Sequence, residues 1–264
     1  RQPGRGPARR GRTGQPPGSG EDRAFIGAVA GAGLTAAAVV HAGPALAPVV
    51  PAIGGALPVV LRQDREGVAL TFDDGPHPQG TPAVLETLRE GGAVATFFLA
   101  GEQVARRPSL AAEIVAAGHR VELHCYRHRN QLRLSPRQLL EDGERARAEI
   151  EAATGQAVSD YRPPYGIFSA AGLLAVRSRG WRPVLWSRWG RDWTRRATPG
   201  SIARKATATV RAGDIVLLHD ADYYSAPGSW VRTAAALPII LEELEARGLK
   251  SMLLRRGGAA TTVH

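Results

Sequence analysis

A single cysteine, Cys125, in 264 residues excludes an internal disulfide framework and any zinc site built from several thiolates. It leaves export open, because a domain of this size can be held by its core alone. Lysine is nearly absent, so almost all of the positive charge is arginine, and the formal net charge is +10. Such a balance favours contact with anionic surfaces such as a cell envelope. It does not indicate nucleic acid: there is no reader motif, and the aromatic residues, 6% of the chain, do not interleave with basic ones as a stacking platform does. No internal repeat is visible.

Apolar residues make up 44% of the chain, enough for a substantial core, but glycine and proline crowd the region before residue 60. Residues 1–23 are basic, Gly/Pro-rich and poor in large apolar groups, which predicts a disordered tail. Ala24 to Val40 carries no charge, follows basic residues and precedes Ala45-Leu46-Ala47, a small-residue triplet of the kind found at cleavage sites. The expectation for 24–47 is a signal peptide or membrane anchor, cleaved or uncleaved, with the rest of the chain secreted or held at the cell envelope. Residues 48–60 read as a linker, 61–258 as the catalytic domain and 259–264 as a C-terminal tail. A monomer is expected.

From Val60 the texture becomes that of a folded domain. VALTFDD (68–74), VATFFLAG (94–101), VELHC (121–125), WRPVLWS (181–187) and DIVLLHD (214–220) read as strands. Helical stretches separate them: TPAVLETLREGG, SLAAEIVAAGHR ending at Gly118, and SPRQLLEDGERARAEIEAATG with a cap at Ser135 and a stop at Gly155. LPIILEELEARGLKSMLL predicts a last helix and strand. The alternation predicts an α/β fold with a mostly parallel sheet, either an open doubly wound sheet or a barrel.

Four segments carry candidate chemistry. In Thr71-Phe72-Asp73-Asp74-Gly75-Pro76-His77 two adjacent carboxylates stand where an apolar strand ends. Neighbouring side chains on an extended segment point in different directions, so one carboxylate can bind a metal while the other faces a substrate water. The spacing of His124 and His128 places two imidazoles on one side of a helical turn. With an aspartate they form a His₂Asp set with open positions, the pattern of a catalytic rather than a closed structural site. Cys125 reads as packing. In Tyr161-Arg162-Pro163-Pro164-Tyr165-Gly166 the prolines stiffen a loop, Arg162 can pair with a carboxylate, and the Tyr165 N–H can serve an oxyanion. His219, at the end of a strand, can be a general acid, with Asp192 to polarise it and Trp193 as an aromatic wall.

Together these segments resemble the polysaccharide deacetylase family, the NodB-homology domain or carbohydrate esterase family 4, over residues 61–258 and in the family's order: TFDDGP at 71–76, His124 and His128, RPPYG at 162–166, Asp192-Trp193, and Leu217-Leu218-His219. The resemblance implies a distorted, incomplete (β/α) barrel and a metal-dependent hydrolase that releases acetate from N-acetylated amino-sugar polymers such as peptidoglycan or chitin-like oligosaccharides. It implies Asp73 as general base held by Arg162, His219 as general acid assisted by Asp192, and Tyr165 as backbone oxyanion donor. Asp74, His124 and His128 would bind Zn²⁺, or Co²⁺ or another divalent ion, and Trp193, Leu217, Pro163 and Tyr165 would line the substrate pocket. An O-acetyl esterase and a non-catalytic glycan-binding domain are the alternatives. The chain departs from the family pattern at Cys125, where Ser or Thr is usual, at Arg127, where a small residue is frequent, and at Trp189, where the pattern WxxD has aspartate. These departures point to an altered groove beside an intact set of ligands and acid–base groups.

Overall fold

The apolar run at Ala69–Asp73 forms an interior strand of the sheet (β1), and every one of its residues is buried. A strand covered on both faces needs apolar side chains on both, which is why this segment and Ala95–Ala100 (β2) read as continuous hydrophobic runs rather than alternating ones. The computed structural model describes residues 38–255. Within them β1 pairs in parallel with β2 on one side and with Ile215–His219 (β7) on the other. Outward from β2 follow Arg120–Cys125 (β3), Asp160–Tyr161 (β4) and Arg182–Pro183 (β5); outward from β7 lies Arg188–Trp189 (β6). The order is β5-β4-β3-β2-β1-β7-β6, with every pairing parallel.

The edge strands are consecutive in the chain, and this sets the shape of the sheet. Only five peptide steps separate Pro183 from Arg188, a reach of about 17 Å. In a flat sheet of seven strands the two edges would stand roughly 29 Å apart. The sheet therefore curls into an open half-barrel. The expected strand 181–187 is accordingly broken: Val184 and Leu185 are fully buried where the chain crosses between the edges. Leu185 N–H donates to Val60 O and Ser187 N–H to Ile215 O.

Helices cover the sheet. Helix Pro136–Thr154 starts at Ser135 with a capping box to Gln138 and stops at Gly155, whose φ of 65° is cheap only for glycine. The last helix, Ser229–Glu245, begins earlier than expected and runs through Pro238. The expected last strand is reduced to a bridge between Val68 and Ser251.

Residues 48–60, read as a linker, are instead docked structure. Gly43–Leu46 is a 3₁₀ turn, Pro51–Ala56 is a short helix, and Val60 bridges Val184. Ala47 is 3% exposed, and Ile53, Leu57, Val59 and Leu61 pack against the core. Their apolar side chains gain more from burial than a Pro/Gly-rich composition suggests. The predicted tail at 1–23, nearly all of the apolar run at 24–40, and the C-terminal tail lie outside the described residues. Among the described residues no helix is long and apolar enough to cross a membrane.

Candidate active site

A parallel sheet brings the C-terminal ends of its strands to one side of the molecule, however far apart they lie in sequence. Asp73 closes β1, His124 lies near the end of β3, Arg162 follows β4, Asp192 follows β6, and His219 closes β7. The two adjacent carboxylates part company at once. Asp73 Oδ1 accepts from Arg162, while Asp74 Oδ1 lies 3.3 Å from His124 Nε2 and 3.4 Å from His128 Nε2. Asp74 has φ 80°, an uncommon value for a residue other than glycine, which fits a turn held under local strain at a functional position. The next residue must be glycine because a Cβ at Gly75 would run into the Asp220 carboxylate.

The two histidines do not share a helical turn, contrary to the reading of their spacing. His124 is on β3, and His128 lies in the loop beyond it, because β3 pairs in parallel with β2 and its chain is extended through Cys125. Asp142, on helix Pro136–Thr154, folds the loop back. Its Oδ2 accepts from Tyr126 N–H at 2.7 Å, and its Oδ1 pairs with Arg129.

Asp74, His124 and His128 fit a divalent ion. Their ligand atoms lie within 4.8 Å of one another. Asp74 Oδ1 and His124 Nε2 are buried without a hydrogen-bond partner, an arrangement that costs free energy unless a cation satisfies it. His124 Nδ1 lies 2.8 Å from Arg162 O, so that nitrogen carries the proton and Nε2 presents its lone pair to the cluster. Burial opposes ionisation of Asp74, but the adjacent imidazole of His124 and the charge of the nearby histidines hold its pKa down at about 2. Burial pulls His128 down to about 4, against the pull of Asp74, so its ring is neutral at pH 7, as a ligand must be. Cys125 stands outside the cluster, and burial pushes its thiol well above the ordinary range.

Arg162 is fully buried. Its Nη1 donates to Asp73 Oδ1 at 2.7 Å and to Thr71 Oγ1 at 2.8 Å, its Nη2 donates to Leu185 O, and the guanidinium lies 4.0 Å from the Phe98 ring. Across the pocket, Asp192 uses both oxygens on His219: Oδ1 is 2.9 Å from Nδ1 and Oδ2 accepts the backbone N–H at 2.7 Å. Thr233, from the last helix, also donates to Oδ2. Burial alone would lower the His219 pKa. The charge and hydrogen bond of Asp192, helped by Asp74 and Asp73, outweigh it and hold the pKa at about 10. His219 is therefore a cation at neutral pH with Nε2 left to act.

The cavity at these groups has a volume of about 260 Å³. Asp73, Asp74, His124, His128 and His219 reach it, and Tyr165, Trp193 and Leu217 line it. Pro163 does not; it is buried beneath the loop and its carbonyl accepts Gly166 N–H. Tyr165 has φ 60°, and the bonds of its 3₁₀ turn run from Gly166 and Ile167, so its own N–H lies outside them. Trp189 joins the wall, its ring 6.0 Å from Trp186 and 5.6 Å from Trp193. Where the WxxD pattern has a carboxylate, this pocket has an indole. The reading of the sequence missed Thr71, Asp142, Trp186, Tyr224 and Thr233. Thr71 stands in the TFDDGP segment, though with no role read for it, and Tyr224 left a trace, since two of the five tyrosines stand together just past His219-Asp220.

The family description "Polysaccharide deacetylase" matches residues 61–184. A chitooligosaccharide deacetylase of Azorhizobium caulinodans is 35% identical over 195 residues, covering 71% of this chain and 92% of that protein. Among solved structures, a family 4 carbohydrate esterase from Streptomyces lividans in complex with acetate superposes with a TM-score of 0.65 at 32% identity, over 72% of this chain and 94% of the other. A family 4 pseudoenzyme from Bacillus anthracis superposes with a TM-score of 0.66 at 27% identity, over 75% and 68% of the two chains. With its curled parallel sheet, its Asp/His/His cluster and its relatives, the chain belongs to the polysaccharide deacetylase family.

Proposed function

We propose that the protein hydrolyses N-acetyl groups on amino-sugar polymers, peptidoglycan or chitin-like oligosaccharides, and releases acetate outside the cytoplasmic membrane. The observation that carries this reading is that Asp73, paired with buried Arg162, and His219, paired with buried Asp192, open into one pocket with the Asp74, His124 and His128 cluster. Mere glycan binding needs neither a held carboxylate nor a charged, buried imidazole. The chitooligosaccharide deacetylase relative supports an N-acetylated glycan as substrate. We assign the uncharged run at 24–40 as an export signal or anchor, 61–258 as the catalytic domain, and the curled sheet as a distorted, incomplete (β/α) barrel.

Two imidazoles and one carboxylate suit Zn²⁺, with Co²⁺ as a working substitute. Such an ion would polarise the acetamide carbonyl and acidify the attacking water. Asp73, fixed by Arg162, accepts the proton of that water. The Tyr165 N–H donates to the oxygen on which negative charge develops. His219, protonated, delivers a proton to the leaving amine, and Asp192 stabilises its charge. Trp193 and Leu217 enclose the methyl group, and Tyr165 borders the sugar.

Acetate release by the full chain tests the reaction class, with N-acetylglucosamine oligomers, peptidoglycan and acetylated xylan as substrates. Chelator should abolish release from an N-acetyl substrate and Zn²⁺ or Co²⁺ should restore it; release from xylan alone would make the protein an esterase. The acid role predicts a pH signature. His219 must be protonated to act, so its limb of kcat/KM falls as pH rises, on the alkaline side near 10. In Asp192→Asn the largest raising influence is gone while the lowering effect of burial stays, so this limb should move to lower pH. An unmoved alkaline limb would exclude His219 as the acid.

A further inference from the structure

The two histidines of the cluster are held by different means. His124 is oriented by a hydrogen bond from Nδ1 to Arg162 O. His128 has no such bond: its Nδ1 is buried without a partner from another described residue. Rings hold it instead. Tyr224 lies face to face with the imidazole, centroids 4.2 Å apart and planes 10° apart, and Tyr165 meets it edge-on at 4.4 Å and 77°.

Tyr224 is itself fixed. Its hydroxyl donates to Glu102 Oε1 at 2.5 Å and accepts from Gln103 Nε2 at 3.4 Å, both on helix Gly101–Arg106. The Glu102 N–H in turn donates to Tyr126 O, on the loop that carries His128. The segment bearing Tyr224 runs on from His219 and is closed by Asp222, which accepts from Gly228 N–H, while Ala226 N–H donates to Trp193 O. A half-buried tyrosine thus reaches the pocket from a loop tied at several points, and its plane sets the plane of the ring beside it.

We infer that Tyr224 is a positioning residue for His128: its ring, presented by a loop tied through Asp222 and Ala226, holds the imidazole by stacking so that Nε2 stays directed at Asp74 Oδ1. The role is the one a hydrogen-bonded carbonyl or carboxylate serves for a metal-ligating histidine, here supplied by stacking. The inference rests on the reading of His128 as a metal ligand.

The test is a Co²⁺ titration of the full chain, followed by visible absorption, for wild type, Tyr224→Ala, Tyr224→Phe and His124→Ala. Circular dichroism establishes that each variant is folded. Tyr224→Ala should bind Co²⁺ about 10–100-fold more weakly, with shifted ligand-field bands. Tyr224→Phe keeps the stacking ring and should retain most of the affinity and the wild-type band positions. Wild-type affinity and spectrum in Tyr224→Ala would overturn the inference. An equal loss in both Tyr224 variants would also overturn it, by assigning the effect to the hydroxyl rather than the ring. Failure of the underlying reading looks different: wild type would bind no Co²⁺, or His124→Ala would bind it as tightly as wild type.

Discussion

Asp73→Asn should lower kcat by roughly 10²–10⁴-fold, the range that general acid–base groups supply, and leave metal affinity close to wild type. The side chain keeps its shape and its oxygen can still accept from Arg162 Nη1, now at 2.7 Å from Asp73 Oδ1. The amide cannot take the proton of an attacking water. Metal affinity is spared because the ligand atoms belong to Asp74, His124 and His128. The measurement is paired: acetate release under saturating substrate and a metal titration on the same preparation. Activity within a few-fold of wild type would remove Asp73 from the base role. Loss of metal binding in parallel with activity would instead place Asp73 among the ligands.

Arg162→Met should destabilise the fold by about 3–5 kcal/mol, the cost of leaving one partner of a buried ion pair without the other. Among the described residues the pair is as buried as any, with side-chain exposures of 0% for Arg162 and 5% for Asp73. The same substitution removes the donors to Thr71 Oγ1 and Leu185 O and the contact with Phe98. Methionine fills most of the apolar volume, so the loss reports charge and hydrogen bonding rather than a cavity. Denaturant unfolding measures it. Arg162→Met with Asp73→Asn should be more stable than Arg162→Met alone, because the double variant carries no uncompensated carboxylate. If the second substitution restores nothing, the cost of losing Arg162 lies in packing and the pair is not the stabilising unit.

These two residues show how much of the site could be read along the chain. Asp73 and Asp74 sit at the visible end of a buried apolar run, and Arg162 beside two prolines, so each segment announced itself locally. Their partnership was implied only by the family resemblance, not by any local pattern: Arg162 Nη1 and Asp73 are joined across 89 residues. The histidine spacing illustrates the opposite risk. It identified the right pair, and it suggested a helical turn where the structure has a strand end and a loop folded back by Asp142. A spacing of four brings two side chains together in a helix without help; in an extended chain another element must bend the loop.

The pattern of buried runs, caps and turn residues was enough to determine the strands at the centre of the sheet, the long helix from Ser135 to Gly155 and the residue types available for chemistry, because those depend on burial and local backbone preference. The tertiary structure alone decided the rest. Five peptide steps between the two sheet edges made the sheet curl, residues 48–60 docked where the composition suggested a linker, and Thr233 joined Asp192 and His219 from the last helix. It also laid Tyr224 on His128 and put Trp189 into the pocket wall. Contacts of this kind are made between side chains that parallel strands bring to one end of a sheet, and no periodicity along the chain encodes which of them will meet.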